Sequence, residues 1–491
     1  MDSAELRRLV AACVMPGFTG SRVPGWVLRA LDDGLAGICV YGHNLQAPGP
    51  QEAAAARVRA IAAELRAARP DVLVALDEEG GDVTRLEYLT GSSYPGNLAL
   101  GRVDDVQLTR RVARAVAADL RAAGVNVDFA PSVDVNSDPR NPVIGVRSFG
   151  ADPDLVARHG VELVLGLQES GVAAAAKHFP GHGATVADSH LALPVIDADE
   201  EEFRRRDLPP FAAVVAAGVE LVMTSHVVFT ALDPEPATLS RRLLVDLLRG
   251  ELGFAGVIVT DALDMAGVRA AHGIADGGAL SLAAGADLLL VGAEDGEQHL
   301  ADLTSAVARR LADGSLPEER LVEAAERVGR LRARLATPPP PPPSDPAAGG
   351  EAAQQALLAR GVRPLHAPAV VVEVRGEANM AVGQAKWSLA EPLAQLGLLG
   401  GLVTVTEDGV AGTLPEPGEE RPVVVVVRDA YRSAWQRAAV AELLASCSAT
   451  LVALGMPDDL QLTTGPALST GGAARACTAA AARLLAGRAA P

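Results

Sequence analysis

The sequence predicts an α/β fold, a TIM-type (β/α)8 barrel followed by a smaller α/β sandwich-like domain. Three observations predict it. Short apolar runs alternate with helical stretches rich in Ala, Leu and Arg. The runs lack polar alternation, so both faces of each strand are covered, as in a parallel sheet packed by helices. Eight such units precede a run of six prolines, Pro338 to Pro343, which favours a stiff extended spacer. The chain has 491 residues, room for one barrel and one further domain. The expected divisions are a barrel over 1–335, a Pro-rich linker over 336–350 and a second domain over 351–491.

The barrel strands are expected at 10–14, 37–41, 71–76, 125–130, 172–177, 220–225, 256–260 and 287–291. Amphipathic helices are expected between them, for example over 53–68, 108–124 and 155–170. After the linker, apolar runs at 369–374, 402–406, 422–427 and 450–455 again alternate with helical stretches. A doubly wound open sheet is the competing architecture. The Gly-rich phosphate fingerprint it would favour is missing, since Glu78-Glu79-Gly80-Gly81-Asp82 is not GxGxxG and carries no P-loop lysine.

Composition narrows the function. Hydrophobic residues make up 49% and charged residues 21%, a globular balance. The formal net charge of −18 opposes binding to nucleic acid or to an anionic membrane surface. No apolar run is long enough to span a bilayer, and the acidic N-terminal stretch lacks a basic-then-apolar leader. Cys13, Cys39, Cys447 and Cys477 have no metal-ligand spacing and read as free thiols of a reducing compartment. The expectation is a soluble cytoplasmic protein, with no signal for its oligomeric state. Lysine occurs only at 177 and 386, so each invites a reason.

Barrel chemistry takes place at the C-terminal ends of strands. Those ends carry Tyr41 to Asn44, Asp77-Glu78-Glu79 with Arg85 following, Asp134 and Asn136 with Arg147 further on, Lys177-His178 with His182, Ser225-His226, and Asp261. Polar groups thus converge on one rim. Between the fifth and sixth strands lies Asp188-Ser189-His190. An i, i+2 spacing in a loop lets the Asp accept from one imidazole nitrogen and leaves the other free for proton transfer. Asp261 ends an apolar strand. It reads either as a helix N-cap or as a working carboxylate, and a nucleophile is the second reading's sharpest form.

These residues are similar to family 3 glycoside hydrolases, specifically the β-N-acetylglucosaminidase (β-N-acetylhexosaminidase) branch. The matching segments are LDEEGGDVTR (76–85), NVDFAPSVDVNSDPRNPVIGVRSFG (126–150), AKHFPGHGATVADSH (176–190), VMTSH (222–226) and VTDALDM (259–265), in the family's order. KHFPGHG followed by DSH is the most specific of them. The second half is a much looser match to the smaller α/β domain that some members carry.

The resemblance implies roles. Asp261 would be the nucleophile that forms a covalent glycosyl-enzyme. His190 would act as general acid and then general base, with Asp188 orienting it. Asp77, Arg85, Arg147, Lys177 and His178 would bind the sugar's hydroxyls and N-acetyl group. No cofactor and no metal is implied. Two departures stand out: Asp82 where the family commonly has a basic residue, and Ala262 where it often has a second Asp. Both are expected to alter rim contacts, and with them the preference for the leaving group.

The mechanism implied is retaining, with a His–Asp pair in place of the usual second carboxyl group. A neutral imidazole repels an anionic acceptor less than a carboxylate would, so phosphorolysis by an N-acetylglucosamine phosphorylase is an alternative to hydrolysis. Aromatics are only 3% of the chain, which suits a small hydrogen-bonding pocket for one terminal sugar of a small oligosaccharide or muropeptide. Cell-wall fragments, entering peptidoglycan recycling, and chito-oligosaccharides are the expected substrates. Three rivals differ in class. A family 3 β-glucosidase would usually take its acid from outside the barrel, unlike the DSH loop. A metal-dependent barrel hydrolase would use His178, His182, Asp188 and His190 as ligands, but no HxH stands at a strand end. A binding protein without catalysis would not need Asp261, Asp188 and His190 together.

Overall fold

The computed structural model describes residues 1–46, 54–185, 193–376, 387–414 and 421–488. Eight parallel strands form the first sheet: β1 (Val14–Pro16), β2 (Gly37–Cys39), β3 (Leu73–Leu76), β4 (Val127–Asp128), β5 (Ala173–Phe179), β6 (Leu221–Thr224), β7 (Val257–Val259) and β8 (Leu289–Val291). Strands β2 to β7 pair in sequence order. A Val259–Leu288 bridge links β7 to β8, and β8 pairs in parallel with β1. Just ahead of β1 and β2, the Ala36 amide donates to Ala11 O at 3.0 Å and ties the two strand starts together. The ring is therefore a closed (β/α)8 barrel.

Strand alternation divides the core. Met15, Cys39, Leu73, Ala75, Val127, Ala173, Ala175, Leu221, Met223, Val257, Val259 and Leu290 form the barrel interior. Their neighbours Val14, Ile38, Val74, Leu76, Ala174, Ala176, Val222, Ile258 and Leu289 face the helical layer. Large side chains such as Met15, Leu73 and Leu221 mix there with small ones such as Ala75, Ala173 and Ala175.

The helices start where the sequence supplies caps. Asp105 Oδ1 accepts from the amides of Gln107 (2.9 Å) and Leu108 (3.1 Å) at the head of helix Val106–Ala122. Asp152 caps helix Pro153–Glu169, with Pro153 at its first position. The first strand begins later than its apolar run suggests. Val10 and Ala11 close helix Ser3–Ala11, because Asp2 accepts from the Ala4 and Glu5 amides and the following residues favour a helix.

Helix Glu318–Ala336 precedes the prolines, and Pro338 to Pro341 are exposed. The spacer is tied to the barrel: Arg121 donates to Pro339 O (3.2 Å), and Arg111 pairs with Asp345 (2.5 Å). Beyond it lies a seven-stranded mixed sheet: β9 (Leu358–Arg360), β10 (Ala369–Val374), β11 (Leu399–Thr406), β12 (Gly409–Ala411), β13 (Val423–Val427), β14 (Ala449–Ala453) and β15 (Ala467–Ser469). Its order is β9-β15-β14-β13-β10-β11-β12, with only β9 and β12 antiparallel to their neighbours. Helix Ala434–Ser446 covers one face through Val440 and Leu443, and helix Arg475–Leu485 covers the other through Ala481, Ala482 and Leu485. No described helix is long and apolar enough to cross a membrane.

Candidate active site

A cavity of about 480 Å³ opens at the C-terminal mouth of the barrel. Asp77, Arg85, Arg147, Lys177, His178 and Asp261 all line it, together with Glu79, His182, Tyr41, Met223, Ala262 and Asp264. Strand ends position several of them: Asp77 directly follows β3, Lys177 and His178 lie in β5, and Asp261 comes two residues after β7. Asp188 and His190 lie outside the described residues.

A buried ion network forms one wall. Lys177 Nζ lies 2.7 Å from both Asp77 Oδ1 and Glu79 Oε1. Arg147 grips Glu79 with two bonds, Nε to Oε2 (2.9 Å) and Nη2 to Oε1 (2.7 Å). Arg85 approaches Asp77 at 3.6 Å. Burial pushes the Glu79 carboxyl up, but Arg147 and Lys177 outweigh it and hold it far below the carboxylate range. Burial alone would lower Lys177; Asp77 and Glu79 reverse this and raise it, so it stays an ammonium.

Next to the network, Asp134 fixes His178. Asp134 Oδ2 takes His178 Nδ1–H at 2.7 Å, and Oδ1 accepts from the amides of His178 (3.2 Å) and His182 (2.7 Å). His178 Nε2 faces Arg147 Nη2 at 3.4 Å. A guanidinium can only donate, so Nε2 accepts and the proton sits on Nδ1. Burial raises the Asp134 carboxyl, yet His178 more than offsets this and brings it to about 2. His182 packs edge-on to His178 with ring centroids 5.9 Å apart. Neither nitrogen of His182 has a partner among the described residues. Burial lowers its pKa to about 4, so it is neutral above that.

Asp261 belongs to the part of the wall beyond β7. Asp261 Oδ1 accepts from the Ala262 amide (2.8 Å), and His226 Nε2 donates to Ala262 O (3.0 Å), pinning the backbone beside the carboxylate. Asp264 is raised by burial. Among the described residues no group of three or more His, Cys, Asp or Glu converges as a metal site.

Sequence reasoning put Glu79 at a strand end but gave it no role in the site. Two buried cations at 147 and 177 need a shared counter-charge, and that need was the available signal. Asp82 also departs from expectation. It is not on the cavity rim: its side chain is 1% exposed, and Arg428 of the second domain binds its Oδ2 at 2.6 Å. The basic partner that could make an acid tolerable there comes from 346 residues away.

The model of the glycosyl hydrolase family 3 N terminal domain matches residues 28–331. Beta-hexosaminidase A of Pseudoalteromonas piscicida is 35% identical over 326 residues, covering 61% of this chain. The match covers 54% of that relative, so the chain spans about half its length. Beta-hexosaminidase of Pseudomonas aeruginosa is 37% identical over 277 residues, 56% of this chain and 80% of that one. Among solved structures, a glycoside hydrolase family 3 beta-N-acetylglucosaminidase from Paenibacillus sp. str. FPU-7 superposes with a TM-score of 0.85 at 32% identity. That match covers 99% of this chain and 97% of the other. With a matched barrel and a cavity at its mouth, the chain belongs to glycosyl hydrolase family 3.

Proposed function

We propose that the protein is a retaining, exo-acting β-N-acetylglucosaminidase that removes one terminal sugar from a small oligosaccharide. The observation that carries this reading is one cavity lined both by Asp261 and by the Asp77–Glu79–Lys177–Arg147 network. Hydroxyl groups of a sugar match such alternating donors and acceptors, and about 480 Å³ suits one ring with its N-acetyl group. The relatives named beta-hexosaminidase and beta-N-acetylglucosaminidase agree with that substrate class.

In this mechanism Asp261 attacks the anomeric carbon while His190, protonated and oriented by Asp188, gives its proton to the departing glycosidic oxygen. The C–O bond breaks as the glycosyl–Asp261 ester forms. His190, now neutral, then takes a proton from water, whose oxygen displaces the carboxylate with a second inversion. Asp77, Arg85, Arg147, Lys177 and His178 bind the sugar's polar groups. The reading extends to a cytoplasmic enzyme acting on cell-wall fragments, such as muropeptides, or on chito-oligosaccharides.

The test is a product assay on aryl N-acetylglucosaminide and aryl glucoside, each with and without phosphate. The expected result is free N-acetylglucosamine in both buffers and much slower release of glucose. Sugar 1-phosphate in the phosphate arm makes the protein a phosphorylase, and faster turnover of the glucoside makes it a β-glucosidase.

A further inference from the structure

Among the described residues the second domain puts no side chain into the cavity lining, yet it touches both loops that build the ionic wall. The first loop runs from Asp77 to Arg85. It turns through Gly80 and Gly81, both at positive φ (74° and 63°), and Glu78 Oε2 staples its return by accepting from the amides of Arg85 (2.8 Å) and Leu86 (2.9 Å). At its tip both carboxylate oxygens of Asp82 are held by the second domain. Oδ2 takes Arg428 Nη2 at 2.6 Å, and Oδ1 takes the Ala473 amide at 2.7 Å.

The second loop runs from Pro139 to Arg147. Tyr431 OH donates to Pro139 O, and Arg432 Nη1 donates to Asn141 O at 2.5 Å. Asn141 is the loop's internal clasp. Its Nδ2 donates to His182 O (2.9 Å), and its Oδ1 accepts from the Val143 and Ile144 amides (both 2.9 Å). Val143 O in turn accepts from Arg147 Nη1 at 3.3 Å. The two loops meet inside the barrel at the Glu79–Arg147 pair.

The contacts therefore close a ring: second domain, Asp82 loop, Glu79, Arg147, Asn141 loop, second domain. We infer that the second domain is a positioning element of the cavity, setting the Glu79–Arg147 geometry through Arg428 on Asp82 and Arg432 on Asn141. Releasing either grip leaves the barrel folded but lets one loop drift, and a drift of an ångström in groups that orient substrate costs about 10²-fold in rate. Arg428, Tyr431 and Arg432 are positioning residues, since none touches the cavity. The proposal rests on the glycosidase reading for its kinetic test only.

The experiment uses the full chain with Asp82→Asn, Arg432→Ala and Arg432→Lys. Three readouts are taken: kcat and KM on an aryl N-acetylglucosaminide, the thermal unfolding curve, and amide hydrogen exchange without substrate. Asp82→Asn and Arg432→Ala are expected to lower kcat/KM about 10- to 100-fold, chiefly through KM, at temperatures where both remain folded. Arg432→Lys keeps a donor to Asn141 O and should recover to within about threefold of wild type. Exchange in Asp82→Asn should rise in 139–147 as well as in the mutated loop, because the ring couples them. A kcat/KM within twofold of wild type in Arg432→Ala, or a lowered unfolding temperature with unchanged kinetics and exchange, overturns the proposal. A wild type inactive on every aryl glycoside sinks the glycosidase reading instead, and the exchange arm still decides this one.

Discussion

The barrel sheet and the mixed sheet of the second domain use the carboxyl ends of their parallel strands differently. In the barrel those ends converge: Asp77, Lys177, His178 and Asp261 point into one cavity. In the second sheet they point outward, onto the barrel. Arg428 follows β13 and binds Asp82; Ala473 lies beyond β15 and donates to the same carboxylate. Met456, beyond β14, sits against Gly145. A closed ring gathers its strand ends around one hollow, whereas an open sheet sets them out along an edge. The same βα alternation thus lines a chamber in one half and sets loops against the barrel in the other.

The largest effect that would sharpen this contrast is at Asp261. Asp261→Ala should cost on the order of 10⁴-fold in turnover, as loss of a covalent nucleophile does elsewhere. The unfolding curve should stay close to wild type, because the side chain is not fully buried. His190→Ala should cost roughly 10²–10⁴-fold, the range of general acid–base catalysis. Steady-state kinetics on an activated aryl N-acetylglucosaminide separates the two, since a good leaving group needs little proton transfer. If Asp261→Ala keeps turning over, the carboxylate is a helix cap and the chamber has another nucleophile.

Much of that chamber was legible before any coordinates. Apolar runs of four to six residues ending in a charge mark a strand mouth, and this placed Asp77, Lys177 and Asp261 correctly at the barrel's end. What stayed hidden was anything whose reason lies in a distant partner. Glu79 is two residues past Asp77, and only the arrival of Lys177 and Arg147 makes it central. Asp82 looked like a rim residue because its partner Arg428 belongs to another domain. Local propensity also misled at Val10 and Ala11, where an apolar run closes a capped helix and the strand starts only at Val14.

The second contrast pairs two buried glutamates, one in the loop after β3 of the barrel and one in β10 of the second sheet. Glu79 is 3% exposed and bound by Arg147 and Lys177. Glu373, fully buried in β10, is bound by Arg375 and by Ser388 Oγ (2.5 Å). Removing one partner of a buried pair leaves an uncompensated charge, so Glu79→Ala should destabilise by about 3–5 kcal/mol. Glu373→Ala should cost less, because Arg375 is over one-third exposed and can turn to water. The two should diverge in kinetics. Glu79→Ala should lose nearly all activity, while Glu373→Ala, assayed well below its unfolding midpoint, should keep kcat/KM within about threefold. Thermal denaturation and initial rates on the same preparations check both. A Glu373→Ala variant as inactive as Glu79→Ala would mean that the second sheet enters the chemistry directly.

The smallest effect is a change in how stability varies with pH, and it concerns the turn that Asp82 caps. Glu78 is buried behind the ionic wall, and burial raises its carboxyl to about 7 despite the amides of Leu86 and Arg85 and the Thr84 hydroxyl. An acid raised in the fold above its unfolded value near 4.5 binds its proton more tightly when folded. Its contribution is therefore fully present below about pH 4.5, and it is lost as pH rises through about 7. Above that, an ionised Glu78 should cost on the order of 2–3 kcal/mol. Glu78→Gln holds the neutral form at every pH, and its Oε1 can still accept from the two amides. Urea unfolding at pH 5.5 and pH 8.5 should find the variant gaining on wild type at the higher pH. The gain should come without a change in kcat, because Glu78 does not line the cavity. Parallel curves for the two proteins would mean that the carboxylate is already compensated in the fold, and that the 77–85 turn is held by its amide bonds and by the second domain's grip on Asp82 rather than by a neutral Glu78.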